Sequence, residues 1–162
     1  MLEVCNGRLE EINEIMEVYA AAREIMRSNG NPNQWGTTHP PYETVLNDIN
    51  NRLNYVIKED GVICGSFFFD VMEDPTYMVI EGAWLNDKPY GVIHRIGSNG
   101  KASGVLKTAL EFAFKNTSNV RIDTHEDNKI MQHLLTKYGF TRCGIIHLAN
   151  GDPRIAFHRE VT

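Results

Sequence analysis

The sequence has few cysteines, no long apolar run and no excess of positive charge. Its 162 residues include three widely spaced cysteines, Cys5, Cys64 and Cys143. This odd number predicts neither a disulfide framework nor a zinc cluster, and it favours reduced thiols in a cytoplasmic protein. No apolar segment approaches the roughly 20 residues that span a bilayer. The N-terminus shows no basic leader before an apolar stretch, so we expect neither a membrane partner nor a signal peptide.

The net charge of -5 disfavours non-specific binding of nucleic acid, because such binding draws on a basic surface. It leaves open a small anionic ligand at a local positive site. Hydrophobic residues make up 42 % and charged residues 23 % of the chain, as in ordinary globular proteins. Length and composition together predict a single domain over residues 1–162.

The order of predicted elements indicates one α/β (α+β) domain around a mixed sheet. Apolar residues recur at helical spacing over residues 9–28, and a shorter helix follows Pro40-Pro41. Asp60-Gly61 predicts a hairpin turn between two strands. The predicted strands cover residues 55–58, 62–71, 77–84, 92–97, 120–124, 142–148 and 154–158, and two later helices cover residues 105–113 and 128–138.

A loop that contains two glycines, Gly100 and Gly104, joins the strand at 92–97 to the next helix. Free N–H groups and the positive end of a helix dipole make such a junction suitable for an anion. The loop is not a triphosphate-binding loop, because Arg95 stands where that pattern needs glycine and Ala102 where it needs Ser or Thr. Spacing alone fits a tight connection without a ligand equally well.

Two segments resemble the GNAT-type N-acetyltransferase superfamily. The stretch from Asn99 to Gly104 resembles its pyrophosphate loop, Arg/Gln-x-x-Gly-x-Gly/Ala, although Asn99 and Ala102 depart from that pattern. Asn128, followed by Met131 and Lys137-Tyr138-Gly139-Phe140, resembles the Asn…Lys-x-Gly-Phe signature of the following helix. The resemblance implies a mixed, mostly antiparallel sheet of about six to seven strands, with splayed fourth and fifth strands and about four helices.

The resemblance implies an acyltransferase that moves acetyl from acetyl-coenzyme A to a primary amine of a small molecule or protein, without a metal. Two alternatives stay open: a non-catalytic acyl-coenzyme A sensor with the same fold, and an interaction module without a cofactor. We also allow for a homodimer. The implied cofactor contacts are Ile96, Gly97, Ser98, Asn99, Gly100, Lys101, Ala102, Ser103, Gly104, Asn128 and Met131.

Direct transfer needs a proton acceptor, because an alkylamine has a pKa of about 10 and is therefore protonated at neutral pH. His94, on the strand that would carry the cofactor, is the first candidate, and Glu81 is the second. A chain of water molecules is a third. Asp123 and His125, two residues apart, fit a base with its orienting partner or a structural pair at a strand end better than a metal site, because no third ligand lies at close spacing.

The family's tyrosine, which gives a proton to the leaving thiolate, corresponds to Leu135 in this chain. Tyr138 lies three residues further along the predicted apolar stripe, and we expect it to pack rather than react. The aromatic residues in irregular segments are candidates for an acceptor pocket, each with core packing as the alternative, and we single out Trp35, Trp84 and Tyr90.

Overall fold

Eight strands form one sheet in the computed structural model, which describes residues 1–162. They are β1 (Leu2–Asn6), β2 (Asn54–Glu59), β3 (Val62–Val71), β4 (Glu81–Gly82), β5 (Gly91–Ser98), β6 (Asn119–Thr124), β7 (Thr141–His147) and β8 (Pro153–Glu160). They lie in the order β1-β2-β3-β5-β6-β8-β7-β4, and only the β5–β6 pair is parallel. The predicted mixed, mostly antiparallel sheet is confirmed, with eight strands instead of six to seven.

Four helices pack on the two faces of the sheet: α1 (Ile12–Ser28), α2 (Tyr42–Asn50), α3 (Val105–Asn116) and α4 (Lys129–Lys137). Neighbouring residues of β2 show the two faces, because side chains alternate along a strand. Val56 belongs to the core beneath α1 and α2, whereas Ile57 belongs to the core beneath α3 and α4. None of these helices combines the length and apolar character needed to cross a membrane.

Two elements differ from the sequence-based prediction. The strand predicted over residues 77–84 is wrong, since Pro75–Tyr77 forms a 3-10 turn and only Glu81–Gly82 is extended and paired. Tyr77 is buried, and its carbonyl accepts a hydrogen bond from Trp84 Nε1 at 3.0 Å, which folds this segment back on itself. Strand β1 was not predicted, because its five residues become a strand only by pairing with β2.

The predicted splay lies between β5 and β6, which pair only through Gly91–Val120 and Val92–Arg121. The strand turns away at Arg95, whose φ of 49° is left-handed and unusual for a residue other than glycine. Two contacts hold this conformation: the Tyr19 hydroxyl donates to the Arg95 carbonyl at 2.8 Å, and the Arg95 guanidinium donates twice to Asp48 at 2.9 Å. From Ile93 onward, β5 has no partner strand on its β6 side.

The end of β5 lies close beneath α1, and Gly97 permits this approach. A Cβ atom at this position would come within 3.1 Å of Tyr19 Cδ1 and 3.2 Å of Trp35 Cη2. Real Cβ atoms rarely approach neighbours so closely, because dense packing leaves no space for the additional atom. The glycine therefore sets how near the helix and the aromatic loop lie to the gap between the two strands.

Candidate active site

Two cavities meet at the gap between β5 and β6. We call the first, of about 320 Å³, the groove; it lies between α1, the end of β5, the start of α3 and the start of α4. We call the second, of about 560 Å³, the pocket; it lies beside β5, β6, the start of β8 and the loop after α1. Met26, Ile96, Asn128 and Met131 line both cavities. The gap therefore connects two spaces of different chemical character.

The groove presents unpaired backbone N–H groups where α3 begins. Within the preceding loop, the Ser98 hydroxyl accepts from the Gly100 N–H at 3.1 Å, and Asn99 Oδ1 accepts from the Lys101 N–H at 3.0 Å. The N–H groups from Ala102 to Lys107 have no acceptor in the protein. Together with the positive end of the α3 dipole, they form a site for an anion.

The N-terminus of α4 forms the other wall of the groove. Asn128 Oδ1 accepts from the Met131 N–H at 3.0 Å and so caps the helix, while Asn128 Nδ2 donates to Gln34 Oε1 at 2.9 Å. Tyr138 lines the groove, whereas Leu135 is fully buried in the core. Of the predicted cofactor-contacting residues, those that line the groove are Ile96, Gly97, Ser98, Ala102, Gly104, Asn128 and Met131. The others, Asn99, Gly100, Lys101 and Ser103, belong to the loop that leads into α3.

A histidine–aspartate pair faces the pocket. His94 Nε2 lies 2.5 Å from Asp74 Oδ2, and Asp74 Oδ1 also accepts from the N–H and the hydroxyl of Thr76 at 2.9 and 2.7 Å. Burial alone would raise the pKa of Asp74, but the hydrogen bonds from His94 and Thr76 outweigh it and lower the pKa to about 2. We therefore infer that the ionised Asp74 accepts a hydrogen bond from the Nε2–H group of His94. Nδ1 of His94 then has no hydrogen-bond partner in the protein.

A second carboxylate, Asp123 at the end of β6, also lines the pocket. It accepts a hydrogen bond of 2.6 Å from the Tyr77 hydroxyl. Burial of Tyr77, together with the negative charge of Asp123, raises the pKa of this hydroxyl well above its usual value. Tyr77 is thus a stable donor to Asp123 at neutral pH, and Asp123 forms no ion pair.

The structure separates the other candidate residues. Glu81 lies on β4 at the edge of the sheet, where its side chain is 69 % exposed and 3.5 Å from His147, and it lines neither cavity. Trp35 lines the pocket, but Trp84 and Tyr90 pack around the Arg121 guanidinium at 4.3 and 3.9 Å, outside both cavities.

His125 does not share the pocket with Asp123. Its Nδ1 atom accepts from the Asp127 N–H at 3.0 Å, and it lines a neighbouring cavity beside β7 and β8 that shares Asn33, Asp152 and Arg154 with the pocket. No group of three or more His, Cys, Asp or Glu side chains is arranged to hold a metal ion. The arrangement at Asp123 and His125 is therefore two separate local hydrogen-bonded sites.

Asp74 and Arg154 both line the pocket, although the sequence pattern marks neither as a site residue. Asp74 precedes Pro75 and caps the 3-10 turn, which is a recognisable start signal for a helical turn. Nothing in the sequence indicates that this turn meets a strand residue 20 positions later. Arg154 has no local signal, because it stands at the start of an ordinary predicted strand.

Comparisons with known proteins agree with this geometry. The sequence profile of the acetyltransferase (GNAT) family matches residues 14–140. An acetyltransferase of the GNAT family from Streptococcus agalactiae is 28 % identical and superposes with a TM-score of 0.89, over 99 % of this chain and 96 % of that one. A Salmonella typhimurium protein whose structure contains its cofactor acetyl-CoA is 12 % identical, with a TM-score of 0.65 over 99 % and 94 % of the two chains. No curated protein sequence matches the chain.

Proposed function

Because the chain belongs to the acetyltransferase (GNAT) family and is therefore an acyltransferase, we propose that it moves acetyl from acetyl-CoA to a primary amine. One observation carries the proposal: a groove with free N–H groups and a pocket with a histidine–aspartate pair meet at a gap in the sheet. A thioester held in the groove would reach the gap from one side. An amine held in the pocket would reach it from the other.

The residues of the groove fit coenzyme A. The free N–H groups from Ala102 to Lys107 would bind the pyrophosphate, and Ala102 keeps its donor although glycine is usual at this position. The open edge of β5 beyond Val92 would pair with the amide groups of the pantetheine arm. Met131 and Ile96 give the gap an apolar lining on which the arm would pack. When bound, acetyl-CoA supplies the reactive acetyl group.

His94 would accept the proton of the acceptor amine through Nδ1. The ionised Asp74 carboxylate holds the ring by its Nε2 atom, which leaves Nδ1, without a hydrogen-bond partner in the protein, to act as the base. Once His94 is protonated, the negative charge of Asp74 at 2.5 Å stabilises the imidazolium. Asp74 is thus a positioning residue, and His94 is the group that contacts the amine.

No acidic side chain is required for the leaving thiolate. A thiol of this type has a pKa of about 8.5, so the thiolate is a tolerable leaving group near neutral pH. Leu135 is buried in the core, and its side chain has no acidic proton. The Tyr138 hydroxyl makes no hydrogen bond with the protein that would orient it. Solvent in the groove would protonate the sulfur.

Thiol release from acetyl-CoA, measured with a panel of primary amines and followed by mass spectrometry of the products, tests the proposal. We expect release that depends on the amine and an acetylated product in equal amount. Saturable binding of acetyl-CoA with no amine-dependent release would contradict it and favour a non-catalytic acyl-CoA sensor.

The three free cysteines, Cys5, Cys64 and Cys143, support a cytoplasmic location for this reaction.

A further inference from the structure

The charged side chains of the pocket indicate which functional group the acceptor molecule has in addition to its amine. His94 is bonded to Asp74, and Arg95 donates two hydrogen bonds of 2.9 Å to Asp48. Burial, reinforced by the nearby arginines, lowers the pKa of His39 to about 4, so this histidine is neutral at pH 7. These three basic side chains are therefore either neutral or already matched by an acid.

Arg154 is the basic side chain of the pocket that no acid matches. The residue is 6 % exposed and forms no ion pair. Its Nη1 donates to the Pro153 carbonyl at 2.8 Å and its Nη2 to the Gln34 carbonyl at 3.4 Å. A guanidinium has five N–H donors, so three remain for a further partner. Burial of a cation without a counter-charge is costly, which makes the site suited to an anionic group of a ligand.

A carboxylate that forms no ion pair, that of Asp123, lies close to Arg154 on the same face of the sheet. In the β6–β8 ladder Asp123 lies opposite Ala156, and Arg154 is two residues before Ala156, so that their side chains are diagonal neighbours. Diagonal Cβ atoms in an antiparallel pair are about 7–8 Å apart. One small molecule can therefore contact both groups, with a cation near Asp123 and an anion near Arg154.

We infer that the acceptor is a small zwitterion, an α-amino acid or close analogue, whose carboxylate binds Arg154 and whose amine lies between Asp123 and His94. The inference rests on the proposed function and names the substrate class of the same site. Guanidinium and carboxylate match as a bidentate pair, which orients the molecule. Asp152 also lines the pocket, but it is exposed on the β7–β8 turn, where solvent screens its repulsion of the carboxylate.

Matched pairs of substrates test the inference. Thiol release from acetyl-CoA is measured with the standard L-amino acids and with the corresponding amino-acid amides, which keep the amine but lose the carboxylate charge. We expect kcat/KM to be at least about tenfold higher for the best acid than for its amide. Equal kcat/KM values for acids and amides in the wild-type enzyme would overturn the inference and leave amine acetylation standing.

Variants of Arg154 assign the difference to this side chain. Arg154→Met should lower kcat/KM for the amino acid by about 10- to 100-fold and leave that for the amide unchanged, while Arg154→Lys should recover part of the loss. Arg8→Met removes an exposed arginine just after β1, at the far edge of the sheet. It should leave kcat/KM unchanged for both the amino acid and the amide. An equal loss for acid and amide in Arg154→Met, with Arg154→Lys no better, would overturn the inference.

A binding measurement separates this inference from the proposed function. The melting temperature of the wild-type protein and of Arg154→Lys and Arg154→Met is measured with the same acids and amides, without acetyl-CoA. Stabilisation by an acid but not its amide, lost in Arg154→Met, would support the inference even if no thiol were released, and only the proposed function would then fail. No stabilisation by any acid, together with no preference in turnover, would overturn it.

Discussion

At the scale of single residues, the proposed chemistry depends on His94 as proton acceptor. His94→Gln keeps a polar side chain of similar length but cannot accept a proton at neutral pH. We expect turnover to fall by about 100-fold or more, with the dissociation constant for acetyl-CoA unchanged, as measured by thiol release and by calorimetry. His147→Gln, at an exposed histidine on β7, is the matched control. Equal rates in His94→Gln and wild type would instead favour water as the acceptor.

Tyr138, the residue that follows α4, lines the groove, and its hydroxyl tests whether the leaving thiolate needs an acid. Tyr138→Phe removes only the hydroxyl, which has no hydrogen-bond partner in the protein, so we expect at least about a third of wild-type turnover. The rate should be read beside the melting temperature, since the ring packs against the core. A loss of about 100-fold with stability and acetyl-CoA affinity intact would identify Tyr138 as the acid.

Sequence reasoning at this scale succeeds for residues on regular elements and fails for residues that meet across the fold. His94 could be selected because its strand was predicted and its side chain has suitable chemistry. Its partner Asp74 lies in an irregular turn whose position depends on Tyr90, whose hydroxyl accepts from the Asp74 N–H at 2.8 Å. Trp84 and Tyr90 have the same composition signal as Trp35, but only the folded chain shows that they pack around Arg121.

At the scale of elements, the loop before α3 is proposed to hold the pyrophosphate. Gly104→Glu adds a negative charge beside the free N–H groups, and an added Cβ would meet nothing nearer than 4.0 Å, so a side chain can begin at this position without a clash. We expect acetyl-CoA to bind tenfold or more weakly in calorimetry, that is, by about 1.4 kcal/mol.

Gly61→Glu provides the matched control for this variant. Gly61 has a φ of 82°, close to the 85° of Gly104, and its added Cβ also lies in open space, but it belongs to the β2–β3 hairpin turn. Both variants therefore carry similar backbone strain and the same charge. Unchanged acetyl-CoA affinity in a folded Gly104→Glu, or equal weakening in both variants, would contradict the assignment of the loop.

Helices and strands with long periodic patterns are predicted correctly from the sequence, and the errors are confined to segments with short patterns. The helices and hairpins had long apolar repeats or glycine turns, and they occur as predicted. The segment over residues 77–84 alternates too briefly, and the hydrogen bond from Trp84 to the Tyr77 carbonyl overrides its strand propensity. The gap between β5 and β6 followed from resemblance alone, because its cause, the left-handed Arg95 held by Tyr19 and Asp48, involves residues distant in sequence.

At the scale of the whole molecule, a buried histidine makes the fold sensitive to acid. His158 is fully buried; its Nδ1 accepts from the Leu85 N–H at 3.1 Å and its Nε2 lies 2.6 Å from Asn119 Oδ1. Burial, aided by the charge of Arg121, lowers its pKa from 6.5 to about 4. The unfolded chain therefore binds this proton more readily than the folded one between these two pH values, so stability falls as pH falls through that window.

The free energy of unfolding in urea, measured from pH 7 to pH 4, tests this effect. The wild-type protein should lose about 3 kcal/mol on account of His158. His158→Gln should be less stable at pH 7, because its buried contacts change. Between pH 7 and pH 4, its free energy of unfolding should fall by about 3 kcal/mol less than that of the wild type. Parallel curves for the two proteins would show that His158 does not carry the acid sensitivity.

The proposed active site extends from the groove to the pocket across the gap between β5 and β6. A crystal structure of the protein with coenzyme A tests it most directly. We predict the pyrophosphate on the N–H groups between Ala102 and Lys107 and the sulfur at the gap beside Ile96 and Met131, with His94 facing it from the pocket. A sulfur atom outside the gap, with protein separating it from His94, would contradict the account.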